Sequence, residues 1–154
     1  MTANLTFAAA IAVFAVAPAW AQPPADYIVN AKDYVDKADW KNQTVITVTM
    51  EEHSYAPQDI KFEVGKAYKL ELKNIGDKDH YFTAPEFFKA VAWRKAMVNQ
   101  QAEIKAPYFS AVEVLKKSGQ LDLYFVPVTK GRYTVYCTID YHREKGMEGS
   151  PTIE

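Results

Sequence analysis

The chain has 154 residues, of which 49% are hydrophobic and 24% charged, a composition that suits one globular domain and not a disordered segment. Its 18 Lys and Arg stand against 19 Asp and Glu, a formal charge of −1. The charges are interspersed, so there is no basic excess to hold a phosphate backbone, which argues against a nucleic-acid binder.

In chain order, the first element is an apolar run from Leu5 to Ala17, shorter than the roughly 20 residues a membrane span requires. It leads into Ala19-Trp20-Ala21, an A-x-A pattern, and then Gln22-Pro23-Pro24. This predicts a secretory signal peptide over residues 1–21, cut after Ala21, with no stable membrane insertion afterwards. An uncleaved anchor or a buried helix is the alternative, because Met1–Thr6 lacks Lys and Arg. Residues 22–43 read as an N-terminal extension, with a short amphipathic helix over Tyr27 to Trp40.

Thr44 to Met50 alternates Thr with apolar residues and predicts a half-buried strand. Ile60, Phe62 and Val64 alternate again, as does Ala67 to Lys73, followed by turn residues Asn74-Ile75-Gly76-Asp77. Pro85 to Val98 has helical spacing at Phe88, Val91, Ala92 and Lys95. Gln100 to Ser118 is ambiguous, with an extended stretch favoured over Ala111 to Leu115 and a helix as the alternative. Leu121 to Val128 predicts a strand, and Arg132 to Cys137 another with Tyr133, Val135 and Cys137 on one face. Thr152 to Glu154 is placed to close the sheet. Short strands between turn signals indicate an all-β sandwich or barrel.

Cys137 is the single cysteine, so an exported chain has no internal disulfide to form and the thiol needs another explanation. From Cys137 the sequence places His142 and Met147 at equal steps of five residues, in a loop that contains Gly146. Thiolate and thioether are soft donors that suit copper(I), and imidazole suits both copper states. Two His and a Cys with a weak axial Met make a blue-copper arrangement, so a second histidine is required. Of the three histidines, His80 follows a strand and turn at one end of the sheet, whereas His53 reads as a solvated loop residue or as part of an extra surface copper site. Zinc is the rival metal, although Met is not among its usual ligands. The plainer alternative is that Cys137 is a small buried hydrophobe and the histidines are incidental.

The segments Tyr55-Ala56-Pro57, Ile60 to Gly65 and Leu70 to Asn74 leading to His80, with Gly131-x-Tyr133-x-x-x-Cys137 and the His142, Met147 and Gly149 spacing, resemble the cupredoxins, the plastocyanin and azurin family. The resemblance covers residues 44–154 and is nearest to exported bacterial cupredoxin-like proteins. It implies a Greek-key β-sandwich with a short N-terminal helical extension. It implies one copper ion held by His80, Cys137 and His142, with Met147 axial. It further implies a periplasmic electron carrier cycling between Cu(II) and Cu(I), whose redox partner docks near a surface-lying His142, while the near-neutral charge and compact domain are compatible with a monomer. Periplasmic copper buffering, delivery or tolerance, with a copper donor or acceptor protein as partner, uses the same ligands. An enzyme is not expected, because no catalytic signature appears and multicopper centres need more ligands. The chain departs from minimal cupredoxins in a longer, partly helical insertion over Pro85 to Ser118, carrying Phe87, Phe88, Trp93, Tyr108 and Phe109. That insertion either covers an edge of the sandwich or shapes the metal surroundings and a docking face.

Overall fold

The computed structural model describes residues 26–99, 102–106 and 108–154. The leader and its cleavage site lie outside the described residues. The elements are α1 (Ala31–Lys37), a 3₁₀ turn (Trp40–Asn42), β1 (Thr44–Glu51), β2 (Ser54–Ala56), β3 (Asp59–Phe62), β4 (Tyr68–Asn74) and β5 (His80–Thr83). They continue with α2 (Pro85–Lys89), β6 (Val91–Val98), β7 (Ala102–Ile104), β8 (Ala111–Val114), β9 (Gln120–Pro127), β10 (Gly131–Arg132), β11 (Val135–Tyr136) and β12 (Glu148–Ile153).

Among the described residues the strands form two sheets. One has the order β2-β1-β4-β9-β6-β7 and the other β10-β12-β11-β5-β8, with β3 pairing with β12. The alternating sequences of β1, β3 and β4 work as expected, each turning one set of apolar side chains inward. The β1–β4 and β3–β12 pairs are parallel, while their other neighbours run antiparallel.

The core between the sheets is aromatic. Phe62, Phe82, Phe87, Phe88 and Phe125 are each fully buried. Phe62 lies edge-on to Phe125 with ring centroids 5.4 Å apart, and Phe87 edge-on to Phe125 at 5.6 Å, a geometry that adds about 1 kcal/mol per pair beyond the area buried. On the other face of the first sheet, the Lys69 ammonium bridges Glu71 at 2.7 Å and Asp122 at 2.9 Å, and Lys73 reaches Glu71 at 2.9 Å.

Four expectations need correction. The segment from Pro85 to Val98 is helical only to Lys89; Val91–Val98 is a strand paired with β9. Val91, Ala92 and Trp93 are all buried, so the strand shows no alternation where it is covered on both faces, and a register shift between Trp93 and Lys95 disturbs the pattern of its second half. The N-terminal helix is shorter than Tyr27 to Trp40, because Asn30 gives no side-chain cap and Ala38 is extended. The strand expected over Arg132 to Cys137 is interrupted at Tyr133 and Thr134. The final strand is longer than expected and starts at Glu148.

The Pro85–Ser118 segment is structural. It contributes β6 and β7 to one sheet, β8 to the other, and buries Phe87, Phe88 and Trp93 in the core. The stretch expected to be extended around Ala111 to Leu115 is β8.

Candidate metal centre

Asn74, at the end of β4, organises the approach to His80. It is fully buried and its side chain is saturated: Nδ2 donates to the carbonyls of Lys78 and Val114, each at 2.8 Å, and Oδ1 accepts from the Gly76 amide at 2.9 Å. The loop is also tied by the Ile75 amide donating to the Met50 carbonyl and by the Lys116 amide donating to the Asp79 carboxylate at 2.7 Å. His80 therefore enters as the first residue of β5, opposite Val114 of β8, pointing into the molecule and fully buried.

Cys137 comes directly after β11, the neighbour of β5 through the Tyr136–Thr83 pair. The loop after it is wound by the His142 amide donating to the Ile139 carbonyl at 3.0 Å and the Gly146 amide to Arg143 at 2.9 Å. Gly146 has φ 105°, the left-handed backbone that reverses the chain with no Cβ penalty. The Met147 amide then donates to the His142 carbonyl at 2.9 Å, and the Cys137 amide to the Met147 carbonyl at 3.1 Å. The two ends of the loop are thus closed on each other, and Cys137, His142 and Met147 are all buried.

This folding brings one donor atom each of His80, Cys137 and His142 within 4.8 Å of one another, all three residues buried. Cys137 Sγ lies 3.6 Å from His142 Nδ1 and accepts a hydrogen bond from the Tyr81 amide at 3.4 Å. Both nitrogens of His80 and Nε2 of His142 are buried without a hydrogen-bond partner. Buried polar atoms left unpaired cost about 1–3 kcal/mol each, so an unpartnered buried His80 ring beside a buried thiol and a second imidazole fits a bound metal ion. Desolvation holds both imidazoles below their ordinary pKa, reinforced at His80 by His142 and at His142 by His53. The favoured form is then the neutral one that binds metal.

The supports around these residues were not visible in the sequence, because each acts across a long separation. Tyr55 is buried and its hydroxyl donates to the Tyr81 carbonyl at 2.5 Å, anchoring on its C-terminal side the residue whose own amide faces Cys137. Burial raises the Tyr55 phenol, and the nearby Cys137 adds to the rise, so it remains a donor. The Glu52 carboxylate accepts from the Lys78 amide at 2.7 Å and lies 3.8 Å from His80 Nε2. Any Cβ at Gly76 would meet that carboxylate at 2.8 Å. Hydrogen bonds from backbone amides, its own first, hold Glu52 below the usual carboxylate range. His53, expected as a solvated loop residue, is half-buried beside His142. His142 itself, expected near the surface, is 1% exposed.

Sequence comparison with curated proteins gives no match. Among solved structures, reduced auracyanin from the photosynthetic bacterium Roseiflexus castenholzii aligns with a TM-score of 0.52 and 18% identity, over 73% of this chain and 98% of that one. A multicopper oxidase from Campylobacter jejuni, a metallo-oxidase, aligns at 0.53 and 16%, over 73% of this chain and 30% of the enzyme. The copper-containing nitrite reductase of Thermus scotoductus aligns at 0.54 and 10%, over 71% of this chain and 30% of that one. These likenesses establish the fold, which occurs both as a free-standing protein and as under a third of the chain in these two enzymes. The cupredoxin-like domain matches residues 7–149, beginning earlier than the stretch that carries the sequence resemblance. With that match spanning most of its length, two β-sheets, and His80, Cys137 and His142 gathered at one buried point, the chain belongs to the cupredoxin-like domain family.

Proposed function

We propose that this chain is an exported, periplasmic mononuclear copper protein that carries single electrons and is not itself an enzyme. The observation that carries this reading is the buried trio His80, Cys137 and His142, whose donor atoms lie within 4.8 Å while three of the imidazole nitrogens have no protein partner. When bound, one copper ion supplies the one-electron couple between Cu(II) and Cu(I). His80, Cys137 and His142 would hold the ion, and Met147, at the far end of the closed loop, would offer a weak thioether donor.

The protein's own contribution is to hold this set still and dry. The Tyr81 amide directed at Cys137 Sγ would moderate the sulfur's donation to a bound ion. Asn74 and the Cys137–Met147 backbone bond fix the two loops, so the ligands need not move between oxidation states. The chain has three histidines and one cysteine, too few to build a second, catalytic copper cluster beside this one. Auracyanin, which the chain matches over 98% of its length and which was solved after dithionite reduction, supports a redox role. A redox partner protein would dock at the end of the sandwich around the exposed Tyr141, next to His142.

The test is titration of the apoprotein with Cu(II), monitored by visible absorption and EPR, with Cys137→Ser alongside. An intense thiolate-to-copper band saturating at one equivalent, absent from the variant, is the expected result. Weak, colourless binding that ignores Cys137 would overturn the reading.

A further inference from the structure

All three histidines of the chain meet at this end of the molecule. His80 and His142 have ring centroids 5.1 Å apart, and His53 stands edge-on to His142 at 5.2 Å with an interplanar angle of 85°. His53 lies outside the trio of donors. It occupies the tight turn of the β1–β2 hairpin, where Glu51 pairs with Ser54 and only Glu52 and His53 lie between. Its φ is 70°, a left-handed conformation that costs a residue other than Gly on the order of 1 kcal/mol. The turn therefore holds an imidazole at a position better suited to Gly or Asn.

The hairpin tip touches both ligand imidazoles. Glu52 faces Nε2 of His80 at 3.8 Å, and His53 faces the ring of His142. The chain neighbours of His142 do not cover it: Tyr141 is 71% exposed, and Arg143 points away to stack on Tyr136 at 4.1 Å. Yet His142 is only 1% exposed. Cys137 and His80 lie against this ring, and the half-buried His53 stands edge-on to it at 5.2 Å.

We propose that His53 is the cover of the metal centre, its ring closing the outer face of His142, and that displacement of the Glu52–His53 turn admits ions and chelators to the site. The part concerning ions rests on the metal reading above, whereas the covering of His142 is a property of the apoprotein. The turn joins β1 to the three-residue edge strand β2, so it can open locally while the sandwich stays folded.

Two measurements on wild type, His53→Asn and His53→Phe test this. Asn tolerates the left-handed backbone and keeps the turn while removing the ring, and Phe keeps a ring without nitrogen. The first measurement is the rate of carbethoxylation of His142 in the apoprotein by diethyl pyrocarbonate, located by mass spectrometry. The second is the rate at which EDTA in excess strips Cu(II) from the loaded protein. His53→Asn should accelerate both by about tenfold, equivalent to about 1.4 kcal/mol in the cost of opening, while His53→Phe stays within about twofold of wild type. Unchanged rates in His53→Asn, or His53→Phe matching His53→Asn, would overturn the proposal. If wild type binds no Cu(II) through Cys137, the metal reading falls, and the carbethoxylation rates alone decide whether His53 is the cover.

Discussion

Replacing Asn74 with Ala should destabilise the apoprotein far more than a typical polar-to-Ala change. The side chain makes three hydrogen bonds, one of them to the buried Val114 carbonyl and two to the partly buried Lys78 carbonyl and Gly76 amide. A partner that stays buried and unpaired costs about 1–3 kcal/mol, and one that regains water about 0.5–1 kcal/mol. Together these give a loss of about 3 kcal/mol, read as a lower urea midpoint with an unchanged slope. Asn74→Asp sharpens the test, because it turns an acceptor toward two carbonyls. Burial and those carbonyls would raise the new carboxyl's pKa, so the variant should be worse than Asn74→Ala at neutral pH and recover as the pH falls and the carboxyl takes up a proton. Because the same loop delivers His80, both variants should also bind Cu(II) more weakly. A loss in Asn74→Ala below about 1 kcal/mol would refute the reasoning, since it would mean that water replaces the side chain at no cost.

Tyr55→Phe removes the hydroxyl that anchors the Tyr81 carbonyl; thermal unfolding of the apoprotein should fall by the equivalent of about 1–2 kcal/mol. The thiolate–copper band should also shift, because Tyr81, whose amide faces Cys137 Sγ, loses the bond that anchors its carbonyl. Met147→Leu should still bind copper but change its colour and raise or lower its potential in voltammetry; an unchanged spectrum and potential would remove Met147 from the ligand set. Hydrogen bonds from Lys69 and then Lys73 hold the Glu71 carboxyl at about 2 against an ordinary value of 4.5. A carboxyl with a depressed folded pKa stabilises the protein above its unfolded value and loses that contribution as pH falls through the folded one. The stability gap between wild type and Glu71→Gln, from urea unfolding, should therefore be widest above pH 4.5 and close toward pH 2; a constant gap would contradict the ion-pair assignment.

How far the sequence was legible depends on how local each signal is. TVITVTM and YKLELKN alternate because one face of β1 and β4 is buried and the other is not, and that pattern is visible in a short window. VAWRKAMV hides its strand because its first three residues are all buried, so the helical spacing that runs through Phe88 and Val91 prevails in a purely local reading. His142 and Met147 stand out by their regular steps from Cys137, and His80 by its place after a strand and turn. The contacts of Glu52, His53, Tyr55 and Asn74 leave no such trace. Tyr55 reaches Tyr81 across 26 residues and Asn74 reaches Val114 across 40, and only the pairing of sheets brings them together. The burial of His142 was hidden for the same reason, since its cover comes from a hairpin far earlier in the chain.

The position of β12 has a consequence for the order of assembly. It comes after every other strand of its sheet in the chain, yet it lies between them, with β3 on one side and β10 and β11 on the other. The sheet is therefore held together by the strand that becomes available last, and such long-range pairing is slow. Met147 immediately precedes β12, and its carbonyl receives the Cys137 amide. Alkylation of Cys137 during refolding should therefore report the docking of β12: the thiol is buried in the native fold and its amide is tied to the residue that precedes that strand.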